Sequence, residues 1–284
     1  MGQAAGLDSV EDLRDYLKNS LVADTEVGRR DLMNYVDYAL QRFLVTLEYL
    51  PDRPGRVLEL GANPYFMTLL IKKRRPYALE LANFFHEDAD PNKIYEQAIV
   101  NEKYGETHTF PYRQFNVEAG RFPYPDETFD GMLFCELLEH LVQDPVAALA
   151  ETHRVLKPGG WLLVTTPNFA RYENIVKLWL ARNPSDQYSG YGVYGRHNRE
   201  YTYPELLRLV SGLGFRVERL EARAIHPRHK LDLRTWIVTW LKPARFHEDN
   251  LFCLAVKAGP CHAKRPAWLY RSLPDELMNW QDWL

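Results

Sequence analysis

Cysteine is scarce in this chain: Cys135, Cys253 and Cys261 occur at no spacing that suits a metal ion, and in an odd number. A disulfide framework is therefore not expected, and a reducing, cytoplasmic setting is. Charge of one sign is missing too. Lys and Arg total 35 against 38 Asp and Glu, for a net charge of −3, so no global positive field recruits DNA or RNA and no nucleic-acid partner is expected. No apolar run approaches membrane-spanning length. The opening "MGQAAGLDSVEDL" has no basic stretch followed by an apolar one, so it does not read as a secretory signal. It begins Met1-Gly2, but Gly6 stands where a myristoylation pattern needs Ser or Thr. Internal repeats and low-complexity tracts are absent.

What is there is the composition of a globular protein, 46% hydrophobic and 26% charged over 284 residues, enough for one large or two small domains. Residues 8–50 read as helical: Asp8 or Ser9 caps "VEDLRDYL", and "DLMNYVDYALQRFLVTLEYL" carries its apolar residues on one face. Pro51 and Pro54-Gly55 end that region. Beyond it the texture alternates. Strands are predicted at 56–60, 76–81, 110–115, 129–135, 160–166, 214–220 and 250–257, with helices near 64–73, 91–104, 144–156, 171–182 and 203–213. This order predicts an α/β fold, a Rossmann-like seven-stranded mostly parallel sheet with helices on both faces and an N-terminal helical cap. The expected organisation is a cap over 1–54, a main domain over 55–260 with a helical insert at 226–249, and an aromatic-rich tail over 261–284.

The stretch "RVLELGANPYF" draws the eye because it is poor in glycine. An apolar strand runs to Glu59 and a lone Gly61, then to Asn63-Pro64 where a nucleotide-binding turn usually has more glycine. In an open parallel sheet, ligands bind beyond the carboxyl ends of the strands. Gly61 lets the backbone approach a ligand, the following amides can face an anion, and Glu59 suits an ammonium group. Glu80, 21 residues after Glu59, is expected at the end of the next strand, where a carboxylate accepts ribose hydroxyls. Asn116 follows the third strand and is either a turn former or an adenine contact; Glu118 reads as a solvated loop acid. "KPGG", Lys157 to Gly160, reads as a helix-to-strand turn and not a phosphate loop.

The ordered segments "VLELG", "ALEL", "FNVEAGRFPYPDETFDGMLFCELLEHL", "RVLKPGGWLLVTTPN" and "EYTYPELLRLVSGLGF" together resemble the class I S-adenosylmethionine-dependent methyltransferases over residues 56–257. The resemblance implies S-adenosylmethionine as cofactor. It implies that Glu59 and Gly61 surround its methionine part, where the Asn63 side chain can add a polar contact of its own, that Glu80 takes the ribose, that Asn116 and Val117 contact the adenine, and that Cys135 and Glu136 lie near the sulfonium and the acceptor. The chain departs from the family where second and third glycines are replaced by Asn63 and Tyr65.

A base is needed where the acceptor is a hydroxyl or an acidic carbon. His140 in "LLEHL" and His197 in "YGRHNREYT" are the candidates, each with a structural alternative in which it only fixes its own backbone. Arg196, Arg199 and Tyr201, in the polar loop that carries His197, are candidate acceptor contacts. No metal ion is expected. In "LDLRTWIVTWL", Leu233, Trp236, Ile237, Trp240 and Leu241 share one helix face flanked by cations. That pattern suits either peripheral membrane contact through 229–242 or packing on protein. The reading is of a methyltransferase acting on a small-molecule or lipid-linked acceptor, most simply at oxygen, with sugar-type or quinone-type acceptors both open. A non-catalytic cofactor-binding scaffold is the alternative from another class. A nicotinamide-dependent oxidoreductase is disfavoured, because Gly-x-Gly-x-x-Gly is missing.

Overall fold

The computed structural model describes residue 7 and residues 9–23, 28–226 and 244–279. The expected membrane-facing stretch 229–242, and with it most of the predicted insert, lies outside these residues. The chain forms two compact units, Met1–Phe115 and Asn116–Leu284.

In the first unit, Ser9 caps α1 (Val10–Lys18) in a reciprocal capping box with Asp12. A short strand β1 (Leu21–Val22) precedes the long helix α2 (Arg29–Tyr49), which ends just before Pro51. Then come β2 (Gly55–Leu60), α3 (Phe66–Arg74) and β3 (Tyr77–Asn83), with β2 and β3 paired in parallel. The last four residues of β2 are buried, as a run of Val and Leu covered on both faces requires. The helix predicted near 91–104 does not form. Residues Ile94–Asn101 are a strand, β4, in an antiparallel hairpin with β5 (Glu106–Gln114) that pairs Ile94 with Arg113 and Asn101 with Glu106. Tyr95, Ile99 and Asn101 alternate with more exposed neighbours on β4, the period-two pattern of a strand. Gly105 turns the hairpin with φ +64°, and eight residue pairs of ladder outweigh a weak helical preference. The strand order in this unit is β1-β4-β5-β3-β2.

The second unit contains β6 (Phe129–Cys135), α4 (Pro145–Val155), β7 (Leu156–Pro167), α5 (Tyr172–Trp179), α6 (Tyr203–Gly212), β8 (Phe215–Arg223) and β9 (Asn250–Lys257). Its order is β6-β7-β9-β8, with β6 and β7 parallel and β9 antiparallel to both its neighbours. The "KPGG" turn falls inside β7, opposite a register shift at Phe129/Gly131. The fold class is the expected α/β one; β1 and β4 are strands beyond the seven predicted.

The tail is tied to α4. Strands β10 (Arg265–Pro266) and β11 (Met278–Asn279) pair in parallel. Between them, the Tyr270 hydroxyl donates to Asp144 at 2.6 Å and accepts the Val146 amide at 3.0 Å. Asp144 is also the α4 N-cap, accepting the Ala147 amide at 3.1 Å.

Candidate active site

The turn after β2 keeps its shape with one glycine. Gly61 has φ +69°, and a Cβ added there would meet nothing within 4 Å. Its amide donates to the Ala82 carbonyl of β3 at 2.8 Å. Asn63-Pro64 is a cis peptide, and Tyr65 takes the left-handed conformation with φ 68°, which a non-glycine residue adopts at a cost of about 1–2 kcal/mol. Burial offsets that cost: the Tyr65 ring is 0% exposed and stacks on Phe110 at 5.9 Å.

Asn83, the last residue of β3, pins the turn. Its Oδ1 accepts the Asn63 amide at 2.8 Å and its Nδ2 donates to the Tyr65 hydroxyl at 2.9 Å. Glu59 is buried, with Thr68 Oγ1 donating to its Oε2 at 2.7 Å. Burial pushes its carboxyl up to about 7, only partly opposed by the Thr68 hydrogen bond. Among the described residues no cationic side chain pairs with it, so a ligand ammonium group fits its chemistry. Glu80 is not at its strand's end. It sits three residues before Asn83, level with Leu58, and forms an ion pair with Arg56.

In the second unit, β6 ends at Cys135, whose Sγ lies 3.9 Å from the Leu163 carbonyl. Glu136 follows with φ 51°. Its Oε1 accepts from Thr165 Oγ1 and Asn250 Nδ2, both at 2.8 Å, so the ends of β7 and β9 hold a strained backbone in place. A 3-10 turn, Leu138–His140, comes next. Glu139 is fully buried. Thr166 Oγ1 donates to its Oε2 at 2.9 Å, and its Oε1 has no hydrogen-bond partner. Burial, and then the charge of Glu136, push the Glu139 carboxyl up to about 8.

The polar loop is fastened to this turn. Asn198 and Arg199 amides donate to the Glu139 carbonyl at 2.7 and 3.2 Å, and Asn198 Nδ2 donates to the His140 carbonyl at 2.9 Å. This brings the two candidate bases together, with ring centroids 5.0 Å apart and planes at 83°. His140 Nδ1 donates to the Arg196 carbonyl at 3.0 Å, and His197 Nδ1 donates to Glu200 Oε1 at 2.9 Å. In each case the partner can only accept, so Nε2 is the lone-pair nitrogen of the neutral ring. Burial, with the neighbouring His197, draws His140 below its ordinary value. Burial also draws on His197, but the Glu200 hydrogen bond and the charges of Glu139, Glu200 and Asp186 outweigh it and hold that ring above its ordinary value. Arg171 forms an ion pair with Glu200.

The remaining candidates are engaged elsewhere. Asn116 Oδ1 accepts the Glu118 amide at 2.9 Å, and its Nδ2 donates to the Tyr194 hydroxyl at 2.9 Å. Val117 stands between these two turn residues. Glu118 is no solvated acid: its carboxylate accepts the amides of Val142, Gln143 and Asp144 at 2.7–2.9 Å. Arg196 bonds Asn198 Oδ1 at 3.1 Å and lies over the Tyr188 ring. Arg199 pairs with Glu205 at 2.7 Å. Tyr201 is buried, not presented on the loop, because it bridges to Asn168 beyond the end of β7. Sequence reasoning passed over Asn83, Glu139 and Glu200. Their signals were present: an Asn closing the strand of Glu80, an acid adjoining His140, and an acid three residues after His197.

A family model described as a methyltransferase domain matches residues 32–220, more than half of the chain. The ubiquinone/menaquinone biosynthesis C-methyltransferase UbiE of Shewanella frigidimarina is 33% identical over 173 residues, 57% of this chain and 65% of that protein. An uncharacterized methyltransferase of Schizosaccharomyces pombe is 32% identical over 120 residues, 41% of each chain. The matched stretch therefore spans less than two-thirds of either relative. A chain from the complex between the Haloferax volcanii Trm112 methyltransferase activator and a methyltransferase superposes with a TM-score of 0.52 at 14% identity, covering 79% of this chain and 92% of that one; at that identity the likeness is one of fold. With the matched domain spanning both the Gly61 turn and the His140–His197 pair, the chain belongs to the methyltransferase-domain family, the class I S-adenosylmethionine-dependent methyltransferases.

Proposed function

We propose that the protein transfers a methyl group from S-adenosylmethionine to an oxygen of a small-molecule or lipid-linked acceptor. The observation that carries this reading is the His140–His197 pair, whose Nδ1 atoms are both committed to acceptors. S-adenosylmethionine, when bound, supplies a methyl group already activated by its sulfonium. The Glu59 carboxylate would meet the cofactor's ammonium, and the bare Gly61 backbone would let it approach. His197 Nε2 takes the acceptor's hydroxyl proton, and the ionised Glu200, anchored by Arg171, stabilises the imidazolium that results. Burial alone would raise Glu200; the His197 and Arg171 hydrogen bonds outweigh it and keep the carboxyl below its ordinary range. Arg196 and Arg199 remain candidate acceptor contacts, at the rim of the same loop.

The Shewanella relative favours a second reading, a quinone-type acceptor methylated at carbon. The same base serves there, because removing a phenolic proton activates the adjacent ring carbon. A lipid-linked acceptor also accords with the Trp-rich, cation-flanked stretch 229–242; no helix among the described residues is long and apolar enough to cross a membrane.

The test is acceptor-dependent formation of S-adenosylhomocysteine, with phenolic quinone precursors and sugar nucleotides supplied in separate reactions. We expect turnover with one class, and His197→Ala to lower kcat by about 10²–10⁴-fold, the span ascribed to a positioned base. Cofactor binding without turnover on any acceptor would favour the scaffold reading instead. A His197→Ala enzyme with wild-type kcat would remove the base.

A further inference from the structure

We propose that Glu139, His140 and His197 form a divalent metal site that takes Zn²⁺, with a fourth position left for water or an acceptor oxygen. One ligand atom from each residue lies within 4.8 Å of the other two. The carboxylate is built as a ligand would be: Glu139 is 0% exposed, Thr166 fixes one oxygen, and the other has no hydrogen-bond partner. A fully buried oxygen left in that state costs about 1–3 kcal/mol, and more if charged. That oxygen lies 3.8 Å from His140 Nε2. Ligand atoms around a tetrahedral ion with bonds of about 2.0–2.1 Å stand roughly 3.3 Å apart, so small side-chain rotations close the set.

Both imidazoles carry the outer hydrogen bond that orients a metal ligand. His140 is held by the Arg196 carbonyl, and His197 by the Glu200 carboxylate, itself paired with Arg171. A carboxylate on the far nitrogen fixes the tautomer and raises the basicity of the ligating one. The chemistry narrows the ion to a divalent transition metal, of which Zn²⁺ needs no redox partner. Two imidazoles and one carboxylate suit Zn²⁺, whereas Mg²⁺ and Ca²⁺ favour oxygen ligands throughout. Three protein ligands with one position open is the arrangement that lowers the pKa of a bound water or hydroxyl. The cysteines take no part in this set.

The proposal rests on the acceptor-activation reading but changes its agent: with both Nε2 lone pairs on the ion, an ion-bound oxygen and not His197 would give up the proton. The site is tested without any acceptor. Untagged full-length protein, stripped with chelator, is titrated with Zn²⁺ by calorimetry and loaded with Co²⁺ for visible absorption. S-adenosylmethionine binding and thermal unfolding are measured on the same samples. We expect one Zn²⁺ per chain, bound more tightly as pH rises because protonated imidazoles cannot ligate, and a Co²⁺ spectrum of low-coordinate type. Glu139→Gln and His197→Gln should each weaken Zn²⁺ binding by at least about 100-fold. Glu200→Gln, a positioning change, should weaken it by about 10–100-fold. Glu139→Gln should remain folded, since it removes a buried carboxyl and keeps its shape. Folded wild type that binds the cofactor but no Zn²⁺ overturns the metal site and leaves the methyl-transfer reading intact. Equal Zn²⁺ binding by wild type and all three variants means an adventitious ion elsewhere and also overturns it.

Discussion

Asn83 holds the turn that Gly61 opens: its side chain accepts the Asn63 amide at 2.8 Å and donates to the Tyr65 hydroxyl at 2.9 Å. Both groups are lost in Asn83→Ala, leaving the part-buried Asn63 amide and the buried Tyr65 hydroxyl without this partner. That variant should lose about 2–4 kcal/mol of stability and bind S-adenosylmethionine at least tenfold more weakly. Chemical denaturation and calorimetry read the two effects. Unchanged cofactor affinity in the folded variant would separate the turn from the binding site.

Tyr65 tests how the turn manages without further glycines. Tyr65→Gly relieves a left-handed backbone by about 1–2 kcal/mol, but removes a fully buried ring, a change of about 3–5 kcal/mol. The net expectation is destabilisation of about 1–4 kcal/mol, read from the denaturation midpoint. A variant more stable than wild type would mean that strain, not burial, dominates here.

Glu59 makes stability depend on pH. Its folded-state value is about 7 against an ordinary 4.5, so between these values the unfolded chain releases a proton that the folded one keeps. Stability from this group is fully present below pH 4.5 and is lost as pH rises toward 7, by on the order of 3 kcal/mol in the cofactor-free protein. Glu59→Gln should flatten that part of the profile and weaken cofactor binding. Parallel profiles for wild type and variant would show that Glu59 is already ionised when folded.

Tyr270 joins the tail to the start of α4. Tyr270→Phe deletes the donor to Asp144 and the acceptor for the Val146 amide. A loss of about 1–3 kcal/mol in unfolding free energy is expected, with cofactor affinity unchanged because Asp144 and Val146 are not among the residues assigned to the cofactor. Loss of cofactor binding alongside normal folding would contradict that separation.

The alternation of apolar strands and amphipathic helices was legible from residue 56 onward because burial on two faces demands continuous Val and Leu runs, and "GRVLEL" and "WLLVTTP" supply them. The N-cap residue of α1 was legible for a different reason, since the Ser9–Asp12 pairing is local. "IYEQAIV" was misread because its local preference is ambiguous, and the deciding partner, β5, is a separate segment. Glu80 was placed at a strand end because the strand was predicted to stop at 81, whereas β3 runs two residues further, to Asn83, on its pairing with β5.

The candidate site divides in the same way. Residue identity alone determined that Gly61 can bend, that Glu59 is an acid beside it, and that His140 and His197, like any neutral histidine, can take a proton near neutrality. Tertiary structure alone decided that the two histidines meet, because the Asn198 and Arg199 amides dock on the Glu139 carbonyl. It alone decided that Glu139 is buried with one oxygen lacking a hydrogen bond while Glu118 caps three amides. A carboxylate's role follows from its desolvation and its partners, and these are set by segments distant in the chain.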